Sequence, residues 1–108
     1  MSMVSNILDR EFVAEVLESD RPVLVDFWAA WCGPCRLVAP LMDWAAELYG
    51  DRLKVVKMEV DPNPETIARY KVEGIPTLIL FEKGEILARI EGAVGKQRIE
   101  AMLAPYLN

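Results

Sequence analysis

Val23-Leu24-Val25-Asp26-Phe27-Trp28 is a near-continuous apolar run, and after Ala29 and Ala30 it gives way to Trp31-Cys32-Gly33-Pro34-Cys35 at the head of a long amphipathic pattern. Such a run predicts a central β-strand covered on both faces. Pro34 suits the first position of a helix, where its missing N–H would have no partner in any case. Two thiols three positions apart at a helix start are placed for dithiol/disulfide chemistry, because the unpaired N–H groups and positive dipole end of the helix stabilise a thiolate there. Asp26 interrupts the apolar strand. A carboxylate among such neighbours is costly as a charge, and desolvation raises its pKa toward neutrality; the plainer alternative is an Asp at a frayed strand end.

Downstream, Leu37, Leu41, Ala45 and Leu48 recur at helical spacing as far as Gly50, a C-cap candidate, with Pro40 inside the pattern as an expected kink. Residues 53–60 read as a strand, and Asn63 as cap with Pro64 at the first position opens a short helix through Tyr70. Ile75 and Pro76 precede a further strand over residues 77–81. Glu82 to Glu85, with Gly84 free to take positive φ, is a short turn into residues 86–91, so these two strands form an antiparallel hairpin that Gly92 ends. A last helix from about Lys96 turns Ile99, Met102 and Leu103 inward and stops near Pro105. Upstream of the central strand, Asp9 is placed to cap a first helix with Phe12, Val13, Val16 and Leu17 on one face, which residues 19–22 break. Counting an opening strand to which no residues are assigned, the order β, α, β, α, β, α, β, β, α predicts an α/β domain whose mixed sheet has a parallel core, an antiparallel C-terminal hairpin and helices on both faces.

The 108 residues, 53% hydrophobic and 27% charged, fit one domain spanning residues 1–108 with its own core. A net charge of -5 without any Lys/Arg run argues against nucleic-acid binding. Residues 1–10 lack a basic segment followed by a signal-like apolar stretch, and no run approaches a membrane span. The expectation is a reducing compartment, cytoplasmic, or stromal if a transit peptide has been removed, where cysteines are more often catalytic than structural. A structural bridge closing so short a loop would stabilise by only about 2 kcal/mol. With two Cys and no His, one chain cannot complete a four-ligand N/S zinc site without carboxylates or a partner.

The run from Val25 through Cys35, then Ala39-Pro40, Gly74-Ile75-Pro76-Thr77 and Glu91-Gly92-Ala93, taken in order over essentially the whole chain, resembles the thioredoxin family. The resemblance implies the thioredoxin fold and assigns the matching Asp26 to a position beneath Cys35, assisting its deprotonation, with Lys57 nearby. It also implies a cis Pro76 facing the disulfide, and an Ile75 backbone that pairs with bound substrate. Trp31, Gly33, Pro34, Gly74, Ile75, Gly92 and Ala93 would then form a shallow, mostly apolar docking surface.

Cys32, preceding the helix, is expected to stay exposed and attack, while Cys35 in the first turn faces the core and resolves the mixed disulfide. Gly33 and Pro34 lie between the thiols and no imidazole is available to stabilise the attacking thiolate further, so the pair should donate electrons as a reductase of protein disulfides. An oxidase or isomerase, a binding module without turnover, and a glutathione-dependent relative are the rival readings. No cofactor beyond the Cys32–Cys35 pair is expected, and no nucleotide-phosphate loop is present. Electrons must therefore come from another protein, by resemblance a thioredoxin reductase, NADPH-flavin or ferredoxin-dependent; the remaining partners would be disulfide-containing client proteins, met as a monomer. Glu73, Glu91 and Ala30 depart from the common family pattern, making the docking rim more acidic on one side and leaving partner choice open; Trp44 is unusual too, and is read as local packing in preference to a partner contact.

Overall fold

The computed structural model describes residues 3–107, so the outermost residues of the expected 1–108 domain lie outside it. Five strands form one sheet in the order β1-β3-β2-β4-β5: β1 Ser5–Asn6, β2 Val23–Trp28, β3 Lys54–Glu59, β4 Thr77–Glu82 and β5 Glu85–Glu91. The first three are mutually parallel, and β4 runs antiparallel to both β2 and β5. The expected mixed sheet with a C-terminal hairpin is thus present, with apolar β2 at its centre. Lys83 and Gly84, both at positive φ, make the two-residue hairpin turn.

Side chains of a strand alternate between faces, and β2 divides its residues accordingly. Leu24 joins Val55, Leu78, Leu80 and Ile90 beneath two helices, α1 Cys35–Tyr49 and α3 Lys96–Leu103. Val23, Val25 and Phe27 join Val56, Met58, Ile79 and Phe81 on the other face, under Phe12, Val16 and the flank of α2 Pro64–Arg69. Asp26 shares the parity of Leu24 and so belongs to the α1 side. That parity sets a carboxylate beneath the helix that carries Cys35.

Several local expectations are corrected. Residues 9–17 do not form one α-helix: a 3-10 turn over Asp9–Glu11 leads into a π-helical segment Val13–Leu17, closed by a Glu18 N–H bond to the Val13 carbonyl at 2.9 Å. The wider turn rotates Val13 out to 50% exposure while Phe12 and Val16 remain buried. Asp9 caps no helix of its own; its carboxylate accepts the Glu65 and Thr66 N–H groups, both at 3.0 Å, at the start of α2. Asn63, the expected cap there, is buried and instead accepts the Asp9 N–H at 2.8 Å and donates to the Glu59 carbonyl at 2.7 Å. The two polar residues have exchanged duties across the sheet end.

In α1 the buried face is Cys35, Val38, Met42, Ala45 and Ala46, leaving Leu37 70% and Leu48 48% exposed. Packing Cys35 against the strand end fixes the phase of the helix, so that of the expected stripe Ala45 is buried and Leu41 packs against the core, while Leu37 and Leu48 turn outward. The helix starts one residue after Pro34, is continuous through Pro40 and ends at Gly50, whose φ of 52° suits glycine. In β5 a register shift opposite Leu80 and Phe81 breaks the alternation, which leaves Ile86 exposed. The inward residues of α3 are those expected, Ile99, Met102 and Leu103.

Candidate redox site

β2 ends at Trp28, whose carbonyl accepts the Val60 N–H at 2.8 Å, and a tight turn closed by Cys32 N–H to Ala29 O at 3.1 Å carries the chain over the sheet end. Arg36 and Leu37 N–H groups bond back to Gly33 and Pro34 carbonyls, so the first helical turn begins inside the motif. Cys32 and Cys35 are joined as a disulfide, with Cα atoms 5.4 Å apart. The Cys35 N–H donates to Cys32 Sγ at 3.2 Å. That donor is one of the unpaired amides at a helix N-terminus, and its aim at one sulfur only makes the pair electrostatically unequal: it favours negative charge on Cys32.

Cys32 does not stand exposed as expected. It is 5% exposed and Cys35 4%, because Ala29, Val60 and Ile75 close over the pair. Solvent access of the whole residues therefore does not distinguish the two cysteines; the amide at Cys32 Sγ does. The Ile75 carbonyl oxygen lies 3.8 Å from the same sulfur. The Ile75–Pro76 peptide is cis, Gly92 N–H bonds the Pro76 carbonyl at 2.8 Å, and the Thr77 hydroxyl donates to the Gly74 carbonyl. The loop of the cysteines thus meets the Ile75 loop at Cys32 Sγ, and the Gly92 N–H braces the Ile75 loop from behind.

Around it, Trp31 is 69% exposed with its indole N–H on Asp61 Oδ2 at 2.8 Å. Gly33, Pro34, Gly74, Gly92 and Ala93 are exposed and Ile75 half-buried. A side chain at Gly33 or Gly74 would project into open space, so these glycines keep the rim low, whereas Gly92 at φ 96° serves the backbone itself. Asp61, bonded to Trp31, and Arg36, lining the cavity beside Cys35, also stand here and were not singled out from sequence. Asp61 sits in an ordinary-looking turn with no periodic signal.

Asp26 is 2% exposed and its Oδ1 has no hydrogen-bond partner. Burial pushes its pKa up to about 7, partly opposed by the positive charge of Lys57. Lys57 is the register partner of Asp26 on β3, and its Nζ lies 5.4 Å from the centre of the Trp28 ring. A cavity of about 180 Å³ lined by Asp26, Trp28, Ala29, Ala30, Cys35, Arg36, Ala39 and Lys57 joins the carboxyl to the second cysteine. The alternative of a frayed strand end is excluded, since the β2 ladder continues past Asp26 to Trp28. Trp44, one of the unusual positions, packs against the α1-side core with Lys96 Nζ 4.9 Å from its ring centre, a local arrangement away from the disulfide. Among the described residues no cluster of three or more His, Cys, Asp or Glu could hold a metal ion, and no helix is long and apolar enough to cross a membrane.

Comparison with known proteins gives one consistent answer. A family model described as Thioredoxin matches residues 3–105. The chain is 48% identical to a thioredoxin of Porphyra purpurea over 97% of its own length and 98% of the relative's. It is 46% identical to thioredoxin 1 of a Nostoc species, covering 99% of this chain and 100% of that one, and 46% identical to a thioredoxin of Pseudomonas aeruginosa over 93% of each.

Proposed function

The chain belongs to the thioredoxin family and is a protein-disulfide reductase, and we propose that Cys32 is its attacking sulfur, Cys35 its resolving one, and Asp26 with Lys57 the groups that time the second step. The observation that carries this order is the Cys35 N–H aimed at Cys32 Sγ. In the reduced form that amide, with the helix end behind it, favours the Cys32 thiolate at neutral pH.

The Cys32 thiolate attacks one sulfur of a client disulfide, and the other client sulfur leaves as a thiolate. Cys35 loses its proton toward Asp26 across the cavity they share, then attacks Cys32 Sγ. The mixed disulfide breaks, the second client thiolate leaves, and the Cys32–Cys35 bond closes. Two electrons have passed from this dithiol to the client. A carboxyl with a pKa of about 7 is half ionised where the reaction runs, able to take up the proton and give it back.

The client strand lies across Trp31, Gly33, Pro34, Gly74, Ile75, Pro76, Gly92 and Ala93, pairing with the Ile75 backbone. The chain works as a single-domain monomer, needs no cofactor beyond its disulfide, and is re-reduced by a thioredoxin reductase, NADPH-flavin or ferredoxin-dependent, in the cytoplasm or stroma.

The test is reduction of a model protein disulfide by the wild type and two serine variants. Cys32→Ser should be inert. Cys35→Ser should accumulate a mixed disulfide through Cys32, visible by mass spectrometry and released by added thiol. Trapping through Cys35 in the Cys32→Ser variant, with none in Cys35→Ser, would reverse the assignment.

A further inference from the structure

The two-residue strand β1 is the least conspicuous element of the sheet, yet it reaches the redox site. Asn6 pairs in register with Lys57 on β3, and the next residue, Ile7, bonds its N–H to the Lys57 carbonyl at 2.9 Å. From that position Asn6 Oδ1 accepts the Trp28 indole N–H at 3.2 Å. The Trp28 ring in turn lies against Lys57 Nζ and forms a wall of the cavity between Asp26 and Cys35. A ring held only by packing on one side and solvent on the other is free to rock about its side-chain torsions; a hydrogen bond at its polar edge fixes the angle.

We propose that Asn6 is a positioning residue for the redox site, holding Trp28 as the wall of the Asp26–Cys35 cavity and as the surface on which Lys57 rests. It touches neither sulfur and acts only through Trp28. The groups facing Asp26 are few: Lys57 from β3, Cys35 and Arg36 along the cavity from α1, and apolar Leu78 as its register partner on β4. Desolvation, the dominant influence on the Asp26 carboxyl, therefore depends on the Trp28 wall staying in place. When the wall loosens, water enters and the charged carboxylate is favoured.

The kinetic consequence rests on the role proposed above for Asp26, but the positioning itself does not, and the two are separable. In the oxidised protein, where neither cysteine titrates, the Asp26 carboxyl is followed by NMR against pH in wild type, Asn6→Leu, which keeps the side-chain size and loses the acceptor, and Asn6→Gln, which keeps an amide acceptor. The expected result is a titration midpoint lowered by about half a pH unit or more in Asn6→Leu and largely restored in Asn6→Gln. Urea unfolding run alongside distinguishes simple loss of stability, which would not move the midpoint of the folded state. An unmoved midpoint in Asn6→Leu, or equal shifts in both variants, overturns the proposal. A moved midpoint with an unchanged pH–rate profile for client reduction upholds the positioning by Asn6 and removes Asp26 from the chemistry.

Discussion

Asp26, the proton acceptor of the proposed resolving step, also makes folding depend on pH. Its carboxyl is buried with an unpartnered oxygen, and its pKa rises from 3.8 to about 7 on folding. Below pH 4 the group is protonated in both folded and unfolded chains and has no effect on stability. Between about pH 4 and 7 the unfolded chain gives up its proton while the folded one keeps it. The folded state then binds more protons, and stability falls as pH rises. Above pH 7 the loss is complete, at about 4 kcal/mol for a shift of this size. Asp26→Asn keeps the shape and removes the charge. Urea unfolding of the oxidised variant should therefore show a gain of a few kcal/mol at pH 8 and almost none at pH 4, with a flattened dependence between. The same variant should resolve mixed disulfides more slowly and should lack the inflection near neutrality expected in the wild-type pH–rate profile. A variant no more stable than wild type at pH 8 would mean that the buried carboxylate finds compensation in the folded state.

At the scale of elements, the exchange between Asp9 and Asn63 ties the N-terminal turn, the end of β3 and the start of α2 into one unit. Both N–H groups that Asp9 accepts are free amides of a helix start; desolvation pushes the Asp9 pKa up, but hydrogen bonding to the Thr66 side chain, together with the Thr66 and Glu65 N–H bonds, outweighs it and lowers the pKa. Asp9→Ala should cost about 1–2 kcal/mol in urea unfolding, the range for losing a cap, whereas Asp20→Ala, at an exposed position, should stay within about 0.5 kcal/mol of wild type. Equal effects from both would assign the Asp9 bonds no net value. This exchange also marks where sequence reading stops. An Asp ahead of an apolar group is a local cap signal, and nothing local says that a helix more than fifty residues away will claim its carboxylate. β1 is two residues long, too short for a period of two to register. The central strand, the hairpin turn and the dithiol at a helix start were legible because each is a short-range pattern with one physical solution. The phase of α1 was not, since two apolar stripes compete and only the docking of Cys35 on the strand end decides between them. The burial of Cys32 escaped for the same reason: Ile75 closes over it from a loop more than forty residues later. The cis Ile75–Pro76 bond was legible only through family resemblance.

Over the whole molecule, the net charge of -5 is not spread indifferently with respect to the disulfide. Asp61 is bonded to the exposed Trp31. Glu73 precedes Gly74 by one position on the loop that carries Ile75, and Glu91 stands in register with Thr77, beside the Gly92–Pro76 bond. Of the nearby cations, Lys57 is drawn back against Trp28, and Arg89 is committed to the Tyr70 and Lys71 carbonyls and to Glu91 itself, leaving Arg36 and Lys71 as the exposed ones. The proposed docking surface is therefore an apolar patch with acidic side chains along part of its rim, where Asp61, Glu73 and Glu91 stand. Exposed charges of this kind contribute little to the stability of a docked complex but change the rate at which partners meet, through a field that salt screens. Clients with basic surroundings at their disulfide should be reduced faster at low ionic strength and slow as salt rises; acidic clients should show the opposite trend. Glu73→Lys reverses one charge at the rim without touching either sulfur, and should raise the low-salt rate on an acidic client roughly several-fold while lowering it on a basic one. The measurement is the second-order rate of reduction for a matched acidic and basic pair of disulfide peptides across a salt series, in wild type and Glu73→Lys. Parallel salt responses for the two peptides would show that encounter is governed by the apolar patch alone, and that the acidic rim belongs to solubility and not to partner choice.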